Sequence, residues 1–238
     1  MKIKENKKRG FTLAEVLITL AIIGVFAALT LPTMIANHQK KVYVVQLQKA
    51  VSTLEQGFKM MMADDAVDKL QYTSVFELTL DSENGECQST DYNNDEACTK
   101  FFDAWKKYFN ISDISTNHYT EWKSLDGSQY DDDLDDYYFI KLLDGTYMIP
   151  LMLLCDDSDI TVTIVGEENI NILGSVYVDV NGEKGPNTYG RDVFHLYVQP
   201  DGILVGMGDG TKETCTSSSY DGRECTSYLM NNGWVMDY

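Results

Sequence analysis

The chain has 238 residues, enough for one or two domains, and its 37 acidic against 19 basic side chains give a net charge of −18. So acidic a body excludes sequence-independent nucleic-acid binding, which needs lysine and arginine clustered on phosphates. It also disfavours docking of the body on an anionic leaflet.

The exception to that acidity comes first. Residues 1–10 hold Lys2, Lys4, Lys7, Lys8 and Arg9 against Glu5, and the charged stretch ends at Gly10-Phe11. From Val16 to Asn37 no side chain is charged. An apolar helix of roughly 20 residues is what a bilayer crossing needs, and basic flanks stay cytoplasmic, so everything after residue 37 is expected to be translocated. A secretory signal shares the basic start and apolar core, and Val25-Phe26-Ala27 offers a cut after Ala27 that would release a soluble domain. That reading leaves Gly10 and the carboxylate of Glu15 unexplained, because a charge at the edge of a membrane span calls for a partner or a use.

The run KKRGFTLAEVLITLAIIGVFAALTLP resembles the class III signal and N-terminal helix of type IV pilins and type II secretion pseudopilins. A basic leader ending in Gly10 carries the likeness, followed by Phe11, Thr12 and Leu13, then Glu15, then an aliphatic helix with Pro32; it covers about the first 60 residues. The resemblance implies that a prepilin peptidase cuts between Gly10 and Phe11 on the cytoplasmic side and methylates the new terminus. It implies that Glu15 pairs with the terminal ammonium of a neighbouring subunit, against the plainer reading of an edge carboxylate that reaches the headgroups. At about 4 Å and an effective dielectric of 20 a unit pair is worth roughly 4 kcal/mol before desolvation. It also implies that Pro32, which lacks an N–H and crowds the carbonyl four residues back, marks a segment that loosens when subunits pack; a plain kink at the membrane exit is the alternative.

Past the apolar run, Val44, Leu47, Val51, Leu54, Phe58 and Met61 recur at spacings of three and four, with Gln, Lys and Ser opposite. This predicts one helix over about 13–62, its first half facing lipid or other subunits and its second half amphipathic. Two or three heptads are too few to favour a coiled coil. Residues 63–136 are polar, with one helical pattern in which Ala97, Phe101, Trp105 and Tyr108 share a face, Phe102 and Phe109 lie alongside, and Asn94 or Asp95 caps the start. The acidic run Asp131–Asp136 reads as a solvated loop. Residues 137–238 are strand-rich. YYFIKL and TYMIPL flank Asp144-Gly145 as a hairpin with a two-residue loop; ITVTIV, SVYVDV, DVFHLYV and ILVGM follow, with a second turn at Asp201-Gly202. No helical pattern separates them, so the sheet is antiparallel and packs on the long helix. The expected fold is therefore α+β and pilin-like: leader 1–10, membrane or filament-core helix 11–37, amphipathic half 38–62, variable region 63–136 and sheet domain 137–238.

Cys87 and Cys98 stand eleven apart, Cys215 and Cys225 ten apart, each pair flanking a polar loop. In an oxidising compartment that spacing suggests two local disulfides, with Cys155, at the end of an apolar run, a free thiol. The segment Asp179 to Asp192 opens like an oxygen-rich calcium loop with Asp179 and Asn181, then departs from it, with Pro186 inside and no closing Glu. The resemblance raises calcium there, with Asp192 as a third donor, because major pseudopilins hold calcium in a C-terminal loop; the other reading is a β-to-β loop shaped by Asx turns. No other cofactor is expected. His38, His118 and His195 are scattered, and no hydrolase, phosphate-loop or zinc-protease motif occurs, so no enzyme activity is expected.

The sequence thus reads as a structural subunit of a type IV pilus or type II secretion pseudopilus. Its expected partners are copies of itself, other pilin-like subunits, the prepilin peptidase and a filament assembly platform. Its expected location is a bacterial inner membrane, single-pass, with the C-terminal part periplasmic and then carried into a filament. The alternative is a non-polymerising single-pass protein with a periplasmic binding domain; an enzyme on the same anchor comes third.

Overall fold

A computed structural model describes residues 10–76, 102–115, 121–130, 138–151, 160–164 and 167–238. Cys87, Cys98, Cys155, the acidic run 131–136, and Ala97 and Phe101 of the expected middle helix lie outside the described residues. The chain divides into two compact units, Met1–Lys41 and Val42–Tyr238.

Helix α1 runs from Leu13 to Asp65, with Pro32 inside it. Among the described residues nothing covers its apolar window: Leu17, Ile18, Leu20, Ile23, Val25 and Phe26 are all more than half exposed. The hydroxyls in this half are satisfied on the helix itself, Thr19 donating to the Val16 carbonyl, Thr30 to Phe26 and Thr33 to Thr30. That is what hydroxyls need where no water reaches. The second half buries the stripe read from the sequence: Val44, Leu47, Val51, Leu54, Phe58 and Met61 are core residues, each contributing about 1.5–3 kcal/mol.

Six antiparallel strands lie against that stripe in the order β1-β2-β3-β6-β7-β8; they are β1 (Ile111–Ser115), β2 (Phe139–Leu142), β3 (Tyr147–Leu151), β6 (Gly174–Asp179), β7 (Val193–Val198) and β8 (Leu204–Gly206). Among the described residues, strands β4 (Ile160–Ile164) and β5 (Glu167–Ile172) form a separate two-stranded sheet. The fold is α+β and pilin-like.

Alternation sorts side chains to two faces. Ile140, Met148, Val176, Val178, Phe194 and Leu196 join the α1 stripe in the main core. Phe139, Tyr147, Ile149, Tyr177 and Val193 point the other way, under Trp122 and Tyr189, in a second, smaller core. His195 is on this face, its ring centroid 4.4 Å from that of Tyr177 and tilted by 51°; burial pushes its imidazole down to about 3, so it is uncharged at neutral pH.

Three expectations are corrected. The loop at Asp144-Gly145 has three residues, Leu143 to Gly145: Leu142 N–H donates to Thr146 O, Gly145 N–H donates to Leu142 O, and Gly145 takes φ +90. A type I turn followed by a left-handed glycine gives that geometry. The turn at Asp201-Gly202 repeats it, with Gln199 N–H on Ile203 O and Gly202 N–H on Gln199 O. In the middle helix, Phe102, Trp105 and Phe109 form the buried face, whereas Tyr108 is only half-buried and bonds Asp64 through its hydroxyl. Gly57 on α1 fixes this choice, because a Cβ there would lie 2.2 Å from the Phe109 ring. Strands β1 and β5 were absent from the sequence reading.

Near the end of the chain are two short helices, α2 (Lys212–Cys215) and α3 (Cys225–Asn231), joined by a Cys215–Cys225 disulfide whose two residues are fully buried. Thr211 caps α2, its hydroxyl accepting from Thr214 N–H. Closing this short loop is worth about 2–3 kcal/mol in the chain-entropy account. Replacing both cysteines by serine should lower the unfolding free energy from urea titration by that amount, and peptide mapping without reduction should find Cys215 linked to Cys225 in the wild-type chain. A wild-type map with Cys215 free would contradict this part of the fold.

Candidate processing and assembly site

Gly10 precedes the helix, exposed, and a Cβ added to it would meet nothing within 4 Å. Among the described residues no packing contact demands glycine there. Phe11 is 89% exposed, the most exposed of the large apolar side chains among the described residues.

Thr12 and Glu15 build the start of α1 together. The Thr12 backbone N–H donates to Glu15 Oε2 at 2.8 Å and the Thr12 hydroxyl to the same oxygen at 2.7 Å. In return Glu15 N–H donates to Thr12 Oγ1 at 3.3 Å, and Val16 N–H to the Thr12 carbonyl at 3.2 Å. This is a reciprocal capping box, which satisfies N–H groups that the first turn of a helix leaves without intrahelical partners. Glu15 thus has a local partner in Thr12, besides the distant one that the resemblance implies. Thr-x-x-Glu ahead of an apolar run was the available signal. Because both bonds from Thr12 converge on one carboxylate oxygen, Glu15 is a stabilised anion at the helix's positive end. A cation arriving there would meet a charge already oriented.

The family model described as "Prokaryotic N-terminal methylation motif" matches residues 6–31. The chain carries a prepilin-type N-terminus. The type II secretion system core protein G of Escherichia coli (strain K12) is 40% identical over 63 residues, 25% of this chain and 41% of that protein. Its counterpart in Dickeya chrysanthemi is 37% identical over 65 residues, 26% of this chain and 40% of its own. Prepilin peptidase-dependent protein A of Clostridium perfringens (strain 13 / Type A) is 29% identical over 100 residues, covering 42% of this chain and 68% of that one. The chain thus spans about two fifths of the length of the two core G proteins it matches. No solved structure matches it.

The expected calcium residues are engaged otherwise. Asp179 is fully buried, and its Oδ1 accepts Asn181 N–H at 3.1 Å and Gly182 N–H at 2.7 Å in an Asx turn. Asp192, also fully buried, accepts Asn187 N–H on Oδ2 and Thr188 N–H on Oδ1, at 2.8 and 2.7 Å. Desolvation pushes the Asp192 carboxyl above its usual range against the pull of those bonds. Asn181 Nδ2 donates to the Gly185 carbonyl at 3.0 Å. Among the described residues no three His, Cys, Asp or Glu gather as a metal set. The donors do not fit the six to eight oxygens of a calcium cage, and no step below runs through a metal. The two carboxylates act as staples that hold the loop's backbone.

Proposed function

We propose that this chain is a filament subunit of the pilin and pseudopilin kind, cut after Gly10 and assembled through its apolar helix. One observation carries the reading: an oriented carboxylate at the start of an apolar helix that none of the described residues covers, directly behind a prepilin-type junction. In a precursor, lipid covers that helix, with residues 1–10 cytoplasmic and Val42 onward on the far side. In a filament, neighbouring helices replace the lipid. Cutting creates an ammonium on Phe11, and Glu15 of an adjoining subunit neutralises it, which sets the register between copies. The partners are then further copies, other pilin-like subunits, the peptidase and an inner-membrane assembly platform. The body takes part as a structural surface; no catalytic role is assigned to it.

The test is the N-terminus itself. Intact-mass measurement of the chain from membranes containing an active prepilin peptidase should find it beginning at Phe11, with one added methyl group. Gly10→Leu should leave it uncut. A wild-type chain still beginning at Met1, or beginning after Ala27, would refute the proposal.

A further inference from the structure

His195 lies in the middle of β7, buried, and neither ring nitrogen has a hydrogen-bond partner among the described residues. Aromatic rings flank it: Tyr177, its register partner on β6, at 4.4 Å between centroids, and Tyr197, two residues along β7, at 5.4 Å. Past the end of β8, Met207 N–H donates to the His195 carbonyl. Among the described residues the charge that acts on the ring is that of Arg223, which has the sign an imidazolium would have. Arg223 is half-buried over the Tyr130 ring, 5.2 Å from its centroid, and is hydrogen-bonded to Tyr177 as well. It belongs to the segment that the Cys215–Cys225 disulfide closes. That segment lies on the second, smaller core. Leu125 N–H donates to the Asp221 carbonyl, and a Cβ on Gly222 would stand 2.6 Å from the Tyr189 carbonyl oxygen.

We propose that His195 makes this contact an acid-sensitive latch: while its ring is neutral, residues 216–224 lie on the smaller core, and protonation drives them off. A neutral imidazole is tolerated between two tyrosine rings, whereas a buried cation with no acceptor, beside a second cation, is not. Arg223 is what an imidazolium would push against, so its segment is the one that lifts, and the disulfide keeps it tied to the chain. Closed, the ring resists its proton down to about 3; lifted into water, it takes one below the ordinary imidazole value of 6.5. Lifting is therefore suppressed above that value and becomes easier as pH falls through the window between the two. Glu224, beside Arg223, works the other way. Burial pushes its carboxyl up, so it holds a proton better when closed and opposes lifting in acid. No residue of α1 takes part.

Hydrogen exchange of the full chain in detergent, corrected for the intrinsic rate at each pH, can follow the amides of Leu125, Tyr220, Arg223 and Cys225, which hold the segment and its contact. Between about pH 7.5 and about pH 5 their opening should become about 30-fold more frequent in the wild-type chain. His195→Phe keeps an aromatic ring there and cannot take a proton, so the same change should fall below about three-fold. A measurement on the wild-type chain alone stands beside it. The His195 ring nitrogens, assigned by nuclear magnetic resonance through the contacts with Tyr177 and Tyr197, should keep their neutral pattern at about pH 5. A ring that becomes charged in the closed chain at that pH would overturn the latch. So would a wild-type opening that ignores pH, or one that rises equally in His195→Phe. An equal rise at the β3–β6 amides would mean that the whole sheet gives way, and would overturn it too.

Discussion

Glu15→Ala should leave membrane insertion and cleavage intact while filament incorporation falls at least ten-fold. Insertion does not need the carboxylate, because removing a charge from the edge of a span makes transfer into lipid easier. Cleavage depends on the Gly10-Phe11 junction, which the substitution leaves alone. Assembly is different: each incoming ammonium at Phe11 would be buried without its counter-charge, and breaking a buried pair by removing one partner costs about 3–5 kcal/mol. The capping box complicates this variant, since alanine also gives up the bonds from Thr12, a loss of about 0.5–2 kcal/mol at the helix start. Glu15→Gln separates the two effects. Glutamine at the third helical position can still accept from Thr12, so the helix start survives and only the charge is lost. Glu15→Gln should therefore fail nearly as badly as Glu15→Ala in a sheared-filament fraction, with membrane levels of the cut subunit unchanged. Wild-type incorporation of Glu15→Gln beside failure of Glu15→Ala would make Glu15 a helix cap and nothing more.

Gly206→Ala should destabilise the sheet domain by about 3 kcal/mol or more, among the largest effects available to a single methyl group. Gly206 ends β8, where α3 crosses it, and an added Cβ would stand 2.2 Å from Ser227 N, 2.5 Å from Ser227 Cα and 2.6 Å from the Thr226 carbonyl carbon. These are backbone atoms, so no rotamer change relieves the contact, and α3 is tethered at Cys225. Gly127→Ala is the control. It has φ +90 with nothing within 4 Å of the new Cβ, so it bears only the conformational cost, about 1 kcal/mol. Urea titration of the full chain in detergent, followed by tryptophan fluorescence, should rank the two in that order. Equal small losses would mean that α3 does not sit on β8 as described.

What the sequence disclosed, it disclosed through period and charge. The α1 stripe from Val44 to Met61 was legible because helical spacing and burial coincide along it, and strands β2, β3, β4, β6, β7 and β8 because β-branched and aromatic residues recur in them. Strand β5, Glu-Glu-Asn-Ile-Asn-Ile, was not legible, since its residues favour strands poorly and its pairing with β4 supplies the order. Strand β1, Ile-Ser-Asp-Ile-Ser, is a weak edge strand for the same reason. The choice of Phe102, Trp105 and Phe109 as the buried face depends on a gap at Gly57, far away in sequence, which no local pattern contains. At the N-terminus the methylation motif over residues 6–31 was legible, whereas the bond from Thr12 to Glu15 is a local one beside the distant partner that the resemblance implies. In the loop, the sequence leaves Asp179 and Asp192 open to both a cation and an Asx-turn reading, because oxygen-rich loops and Asx-stapled loops share a composition; only the positions of the backbone N–H groups tell them apart.

The central claim is that this chain leaves the membrane as a processed filament subunit. The most direct measurement is mass spectrometry of the sheared, high-molecular-weight surface fraction from cells that express the chain with a prepilin peptidase and an assembly platform. The account predicts the full chain in that fraction, beginning at methylated Phe11 and missing when Gly10→Leu blocks the cut. Finding the cut chain in the membrane alone, with none in the sheared fraction under conditions where other subunits assemble, would contradict it.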